Sequence, residues 1–257
     1  GLPVGLLQPG DRADFLEVDD LEQLRIRRVF VAGRLAAADG VSTWPRLDSH
    51  TPNRFDVRPK QPDDFAIATP STASTVTVRV IEALDGQLVT GGLRLPVPAA
   101  EGRLRADPTS DILKIAVVDR YDDRRPAVAF IKNIGLRHGA IASSVSHDSH
   151  NIVAVGATDA DLARAVNLVI ASRGGLSAVG PDGEAVLPLP IAGLMSDRPG
   201  TEVAAAYSAI DRRAKALGSQ LAAPFMTLSF MALLVIPSLK IGPAGLFDVD
   251  AFRPVGL

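Results

Sequence analysis

Along this chain apolar and polar positions follow two rhythms, one of period two and one near 3.6, and each predicts a different element. Residues 13–18 and 27–32 read as strands, the first entered through the turn-forming Pro9-Gly10-Asp11 and the second closed by Gly33. Asp19-Asp20-Leu21-Glu22 between them is polar enough for a surface connection. So short a segment closes no core of its own, and it is expected to complete a sheet whose other strands lie elsewhere. Thr75-Val76-Thr77-Val78-Arg79-Val80-Ile81 alternates as a half-buried strand does. Residues 113–118, 127–131, 140–145 and 152–155 add further strands.

The helical rhythm enters at Thr158. That residue is a good cap, Asp159 and Asp161 suit the positive end of the helix dipole, and Leu162, Val166, Val169 and Ile170 recur on one face. Gly174-Gly175 stops this helix, which is expected over 159–172. A second is expected over 201–217, with Val203, Tyr207, Ile210, Ala214 and Leu217 as its apolar stripe and Gly218 as terminator. Trp44-Pro45, Thr51-Pro52-Asn53, Arg58-Pro59 and Gln61-Pro62 force extended or turn geometry, so a domain boundary falls within 41–62. The expected organisation is leading strands plus linker over 1–60. An α+β domain follows over 64–257, a mostly antiparallel β-sheet with flanking helices.

Composition narrows the function classes. The 257 residues are 47% hydrophobic and 22% charged, enough apolar material for a sizeable core. Lys plus Arg total 27 against 29 Asp plus Glu, so no net charge steers the chain to nucleic acid or anionic lipid. The absence of cysteine excludes disulfides, thiolate metal sites and a cysteine nucleophile, and fits a cytoplasmic setting. Gly1-Leu2-Pro3-Val4 lacks the basic and apolar regions of a signal peptide. The longest apolar stretch, 225–237, is too short and interrupted to span a bilayer, so neither membrane nor nucleic acid is an expected partner.

Four histidines are present, His50, His138, His147 and His150, and one segment concentrates reactive types: Ser143-Ser144-Val145-Ser146-His147-Asp148-Ser149-His150-Asn151. Flanked by apolar runs, it is expected to form a tight turn or the polar lip of a sheet. Imidazole, carboxylate, hydroxyl and amide together bind a polar heterocycle or relay a proton. A metal role for His147 and His150 would need a turn to make them converge, since residues three apart face opposite ways on a strand, and at least one further ligand. Hydrogen bonding is therefore the expectation. A serine hydrolase triad is discounted, because Ser144 or Ser149 beside Asp148 is adjacency without triad geometry and no Gly-x-Ser-x-Gly elbow occurs. The zinc nucleobase deaminase signature is excluded with cysteine.

The run Gly139-Ala140-Ile141-Ala142-Ser143-Ser144-Val145-Ser146-His147-Asp148-Ser149-His150-Asn151-Ile152-Val153 resembles the signature of the adenine deaminase carboxy-terminal domain. Three more blocks agree in order. Asp111-Ile112-Leu113-Lys114-Ile115-Ala116-Val117-Val118-Asp119-Arg120 is similar to the family strand entering that region. Leu187-Pro188-Leu189-Pro190-Ile191-Ala192-Gly193-Leu194-Met195-Ser196 is similar to its proline-rich crossing. Thr227-Leu228-Ser229-Phe230-Met231-Ala232 with Val235-Ile236-Pro237-Ser238-Leu239-Lys240 and Gly245-Leu246-Phe247-Asp248-Val249 resembles its end. Leu7-Gln8-Pro9-Gly10-Asp11-Arg12-Ala13-Asp14-Phe15 and Val29-Phe30-Val31-Ala32-Gly33 resemble the strands that follow the barrel in amidohydrolase enzymes.

The resemblance implies hydrolysis of adenine to hypoxanthine and ammonia, with manganese or iron activating water in a (β/α)₈ barrel. The barrel's His-x-His ligands have no counterpart here, so no metal ligand is carried over to any residue of this chain. The expectation is an incomplete amidohydrolase β-domain followed by the α+β domain, with no TIM barrel in this chain and no deaminase activity from it alone. Its partners would be adenine and the barrel domain, with a homodimer left open. His147, Asp148, His150 and Asn151, with Ser144, are the candidates for lining or closing the active site. The alternatives are that they fix an interdomain or subunit contact, or that the chain is a non-catalytic purine-binding or dimerisation module.

Overall fold

The computed structural model describes residues 7–45, 50–147 and 149–257. Two compact units divide the chain, Gly1–Ser49 and His50–Leu257. In the first, strands β1 (Phe15–Val18), β2 (Ile26–Val31), β3 (Arg34–Ala38) and β4 (Val41–Ser42) form one antiparallel sheet in chain order. The rings of Phe15 and Phe30 stack across β1 and β2, 4.6 Å apart. Asp14 accepts the Ala32 N–H at 2.6 Å, which fixes the sharp turn out of β2.

The second unit is built on a ten-stranded sheet. Its strands are β5 (Ile67–Ala68), β6 (Thr75–Glu82), β7 (Gly91–Ala100), β8 (Arg103–Leu104), β9 (Ile112–Val118), β10 (Ala127–Lys132), β11 (Ala140–Ser143), β12 (Ile152–Gly156), β13 (Gly175–Gly180) and β14 (Gly183–Pro188). The order is β14-β13-β11-β12-β9-β10-β6-β7-β8-β5. Only the β10–β6 pair is parallel, as expected for a mostly antiparallel α+β sheet, and no closed barrel occurs among the described residues.

Alternation along the central strands sorts their side chains onto two covered faces. Leu113, Ile115, Val117, Val153 and Val155 face one core, which helices α2 (Gly200–Ala216) and α3 (Pro224–Phe230) cover. A small antiparallel sheet, β15 (Leu239–Gly242), β16 (Gly245–Asp248) and β17 (Arg253–Pro254), completes that layer. Ala116, Val118, Ile152 and Ala154 face the other core, beneath helix α1 (Asp159–Ala171) with Phe55, Val57 and Phe65. Thr158 caps α1 by accepting the Asp161 N–H at 3.0 Å.

Two elements depart from the sequence reading. β7 carries Pro96 and Pro98 yet runs ten residues. In β7 the Ala99 N–H donates toward the β6 side, to Ser74, so the nitrogens of Pro96 and Pro98 point the other way, toward the side where the short β8 pairs only with Ala99 and Ala100. The third helix, α3, occupies an apolar run without a polar stripe, with Pro224 in its first turn. No helix among the described residues is long and apolar enough to cross a membrane.

Candidate functional site

β11 and β12 end at the pair Ser143↔Val153, and residues 144–151 form the loop between them. Pairing stops at Ser143, short of residue 145, because the Ser143 hydroxyl turns back to accept the Val145 N–H at 3.0 Å. Ser144 is wholly buried. Its hydroxyl donates to the Gly193 carbonyl at 2.6 Å and accepts the Gly175 N–H at 2.8 Å, while its own N–H donates to the Gly175 carbonyl at 3.0 Å. Gly175 has φ 139°, and a Cβ there would run into the Leu187 carbonyl, so this close approach needs glycine.

The crest of the loop is different. The His147 N–H donates to the Ser229 carbonyl at 3.1 Å, and its ring lies flat on Phe230 with centroids 4.9 Å apart and 11° between planes. His150, at φ 54°, turns the chain back and donates its N–H to the Ser146 carbonyl at 3.0 Å. The turn brings the two imidazole centroids to 6.5 Å. His150 Nδ1 and Ser146 Oγ are buried and meet no hydrogen-bond partner among the described residues. Asp148 lies outside the described residues. At the far root Asn151 is buried, its Oδ1 accepting the Arg120 N–H at 3.2 Å and its Nδ2 donating to Ser149 Oγ at 3.2 Å. The structure therefore brings His147 and His150 together, and turns Ser144 and Asn151 into the fold beneath them. His50 and His138 are exposed.

Beside the loop a cavity of about 210 Å³ is lined by Ser143, Val145 and Ser229 together with Tyr207, Phe225 and Met226. Burial, reinforced by the Asp211 carboxylate, raises the Tyr207 phenol above its ordinary range. Among the described residues no group of three or more His, Asp or Glu side chains is arranged to hold a metal ion. Behind α3, the wholly buried Lys240 donates to the carbonyls of Phe230 at 3.1 Å and Leu88 at 2.7 Å. Burial pulls its ammonium down to about 8. Phe230 is thus held by its carbonyl from Lys240 while its ring supports His147.

Sequence reasoning did not single out Phe230, Ser229 or Lys240 as site residues. The lone lysine in Val235-Ile236-Pro237-Ser238-Leu239-Lys240-Ile241 was a readable signal, since an unneeded charge is out of place in such a run. Phe230 and Ser229 reach the loop only through tertiary packing, and nothing local in the sequence marks them.

The sequence matches the family described as adenine deaminase C-terminal domain over residues 87–253. It is 51% identical over 255 residues to an adenine deaminase of Salinibacter ruber, covering 98% of this chain and 46% of that protein. It is 47% identical to an adenine deaminase of Methanosarcina barkeri, covering 100% of this chain and 47% of that protein. An adenine deaminase of Borreliella burgdorferi is 40% identical over 98% of this chain and 45% of its own length. The chain spans about half the length of the curated relatives it matches.

Proposed function

This chain belongs to the adenine deaminase family, through that family's C-terminal domain, and on that premise we propose that it is the carboxy-terminal part of an enzyme hydrolysing adenine to hypoxanthine and ammonia. The divalent metal, manganese or iron, is assigned with the family resemblance to a barrel in the remainder of the polypeptide. What falls to this chain is the mouth of the site. His147 and His150 line or close it, in the same cluster as Asp148, while Ser144 and Asn151 hold the loop that carries them. An imidazole there donates to or accepts from a purine nitrogen, or moves a proton toward the leaving ammonia.

One observation carries this reading: His150 Nδ1 and Ser146 Oγ are buried with no partner among the described residues. Buried polar atoms nearly always find a partner, and a polar heterocycle or a facing domain would supply it. A cytoplasmic setting is part of the proposal, and a chain without cysteine is compatible with it.

The test is adenine turnover by the complete polypeptide carrying His147→Ala or His150→Ala. The expected loss is at least about tenfold, the scale of one transition-state hydrogen bond, with metal content unchanged. Full activity with a lowered melting temperature would leave the loop as structure only. That second reading, an interdomain or subunit contact, is favoured by the internal bonding of Ser144 and Asn151. Calorimetric titration with adenine separates a purine-binding module from a dimerisation module.

A further inference from the structure

We propose that Arg120 is a positioning residue for the loop bearing His147 and His150, holding both roots of that loop from one buried guanidinium; this rests on the reading that the loop acts at the active site. Arg120 lies two residues past the end of β9 and is 4% exposed. It enters no ion pair among the described residues, and its guanidinium lies against the rings of Phe55 and Tyr121, 5.2 and 4.7 Å from their centroids. Aromatic faces partly replace the water such a cation has lost. A buried cation is expensive to keep, so its retention calls for a specific set of contacts.

Those contacts run to both ends of the loop. At the first root, Arg120 Nη1 donates to the Ala192 carbonyl at 2.8 Å, and the next carbonyl, that of Gly193, accepts the Ser144 hydroxyl at 2.6 Å. Gly193, at φ 72°, leaves no room for a side chain, because a Cβ would run into Arg120 Nη1. The turn at 192–193 is fitted to the guanidinium on one side and to Ser144 on the other. At the second root, Arg120 Nη2 donates to the Tyr121 hydroxyl at 2.8 Å, and that hydroxyl donates to the Ser149 carbonyl at 3.1 Å. The Arg120 N–H meets Asn151 Oδ1 at 3.2 Å, and Asn151 Nδ2 meets Ser149 Oγ at 3.2 Å. Between these roots stand the two histidines, which touch Arg120 through neither ring. A lysine keeps the charge but has no planar fork to reach two acceptors at fixed angles.

The experiment is steady-state kinetics on the complete polypeptide, with Arg120→Lys, Tyr121→Phe and His150→Ala made singly and as doubles with His150→Ala. Expected are a fall in kcat of about tenfold for Arg120→Lys and about threefold for Tyr121→Phe, with KM for adenine moving less than about threefold. Each double is expected to lose less than the product of its two single losses, since a displaced His150 and an absent one lose the same interaction while the effect on His147 remains. A merely structural role would lower the melting temperature and leave the losses multiplying. Losses that multiply, or a wild-type kcat in Arg120→Lys, overturn the assignment of Arg120 while leaving the loop's role intact if His150→Ala is impaired. Full activity of both His150→Ala and His147→Ala removes the loop's role and the Arg120 assignment with it. Should Arg120→Lys fail to fold, Tyr121→Phe, which deletes one hydroxyl, decides by the same coupling.

Discussion

Lys60, Lys114 and Lys240 are all sealed from solvent, yet they meet burial differently. Lys60 reaches Asp123 at 2.6 Å and Lys114 reaches Asp159 at 2.6 Å. Lys240 has two backbone carbonyls for its hydrogen-bond partners. Its proton is therefore held less firmly in the folded chain, near 8, than in the unfolded chain near 10.5. Below pH 8 both states are protonated and the folded state bears the whole desolvation penalty. Between pH 8 and 10.5 the unfolded chain binds more protons, so this group makes stability rise with pH until the penalty is gone. Lys240→Met is expected to abolish that rise. In urea melts at pH 7.5 and 10, the stability of wild type relative to the variant should climb by about 2 kcal/mol. Parallel melts at both pH values would mean that the native Lys240 ammonium keeps the proton affinity of a solvated lysine.

At the scale of elements, the loop 144–151 depends on its first residue. Ser144 Oγ bonds both the Gly175 N–H and the Gly193 carbonyl, so Ser144→Ala strands a donor and an acceptor in a dry interior. The expected destabilisation is about 1–3 kcal/mol, read from chemical denaturation, and a variant as stable as wild type would mean that water reaches these groups. The strands were legible in two ways: 75–82 alternates as a half-buried strand does, while 112–118 and 152–156, buried throughout, read as short continuous apolar runs. β7 was illegible because proline normally signals a break, and its penalty is lifted here only because Pro96 and Pro98 face away from β6, where β8 pairs with no more than Ala99 and Ala100. α3 was illegible because it is apolar nearly all round, which leaves a helical period nothing to mark. The polar loop stood out for the converse reason, a dense set of polar residues between apolar strands. Which of them turn into the fold was not legible, since Ser144 is held by Gly175 and Gly193 and Asn151 by Arg120, partners far along the chain.

For the whole molecule, the decisive contrast is between its two units. The second has three apolar clusters, two of them packed on opposite faces of the central strands. The first has Ala36 as its buried apolar residue among those described, while Leu16, Ile26, Leu35 and Trp44 are each more than 40% exposed. A four-stranded sheet with so little apolar area removed from water has ladder hydrogen bonds, one aromatic stack and exposed ion pairs such as Arg27–Asp19 and Arg28–Glu17 to set against its chain entropy. Opening of such a sheet is local and inexpensive, whereas amides of the central strands exchange only when the large sheet comes apart. Hydrogen exchange on the 257-residue chain by itself is thus expected to be at least about a hundredfold faster for residues 15–18 and 26–31 than for 112–118 and 152–156. Added strands from the rest of a longer polypeptide should slow the first set and leave the second unchanged. Equal protection of both sets in the chain alone would mean that the first sheet is stable as it stands, and would end the view that it is completed from elsewhere.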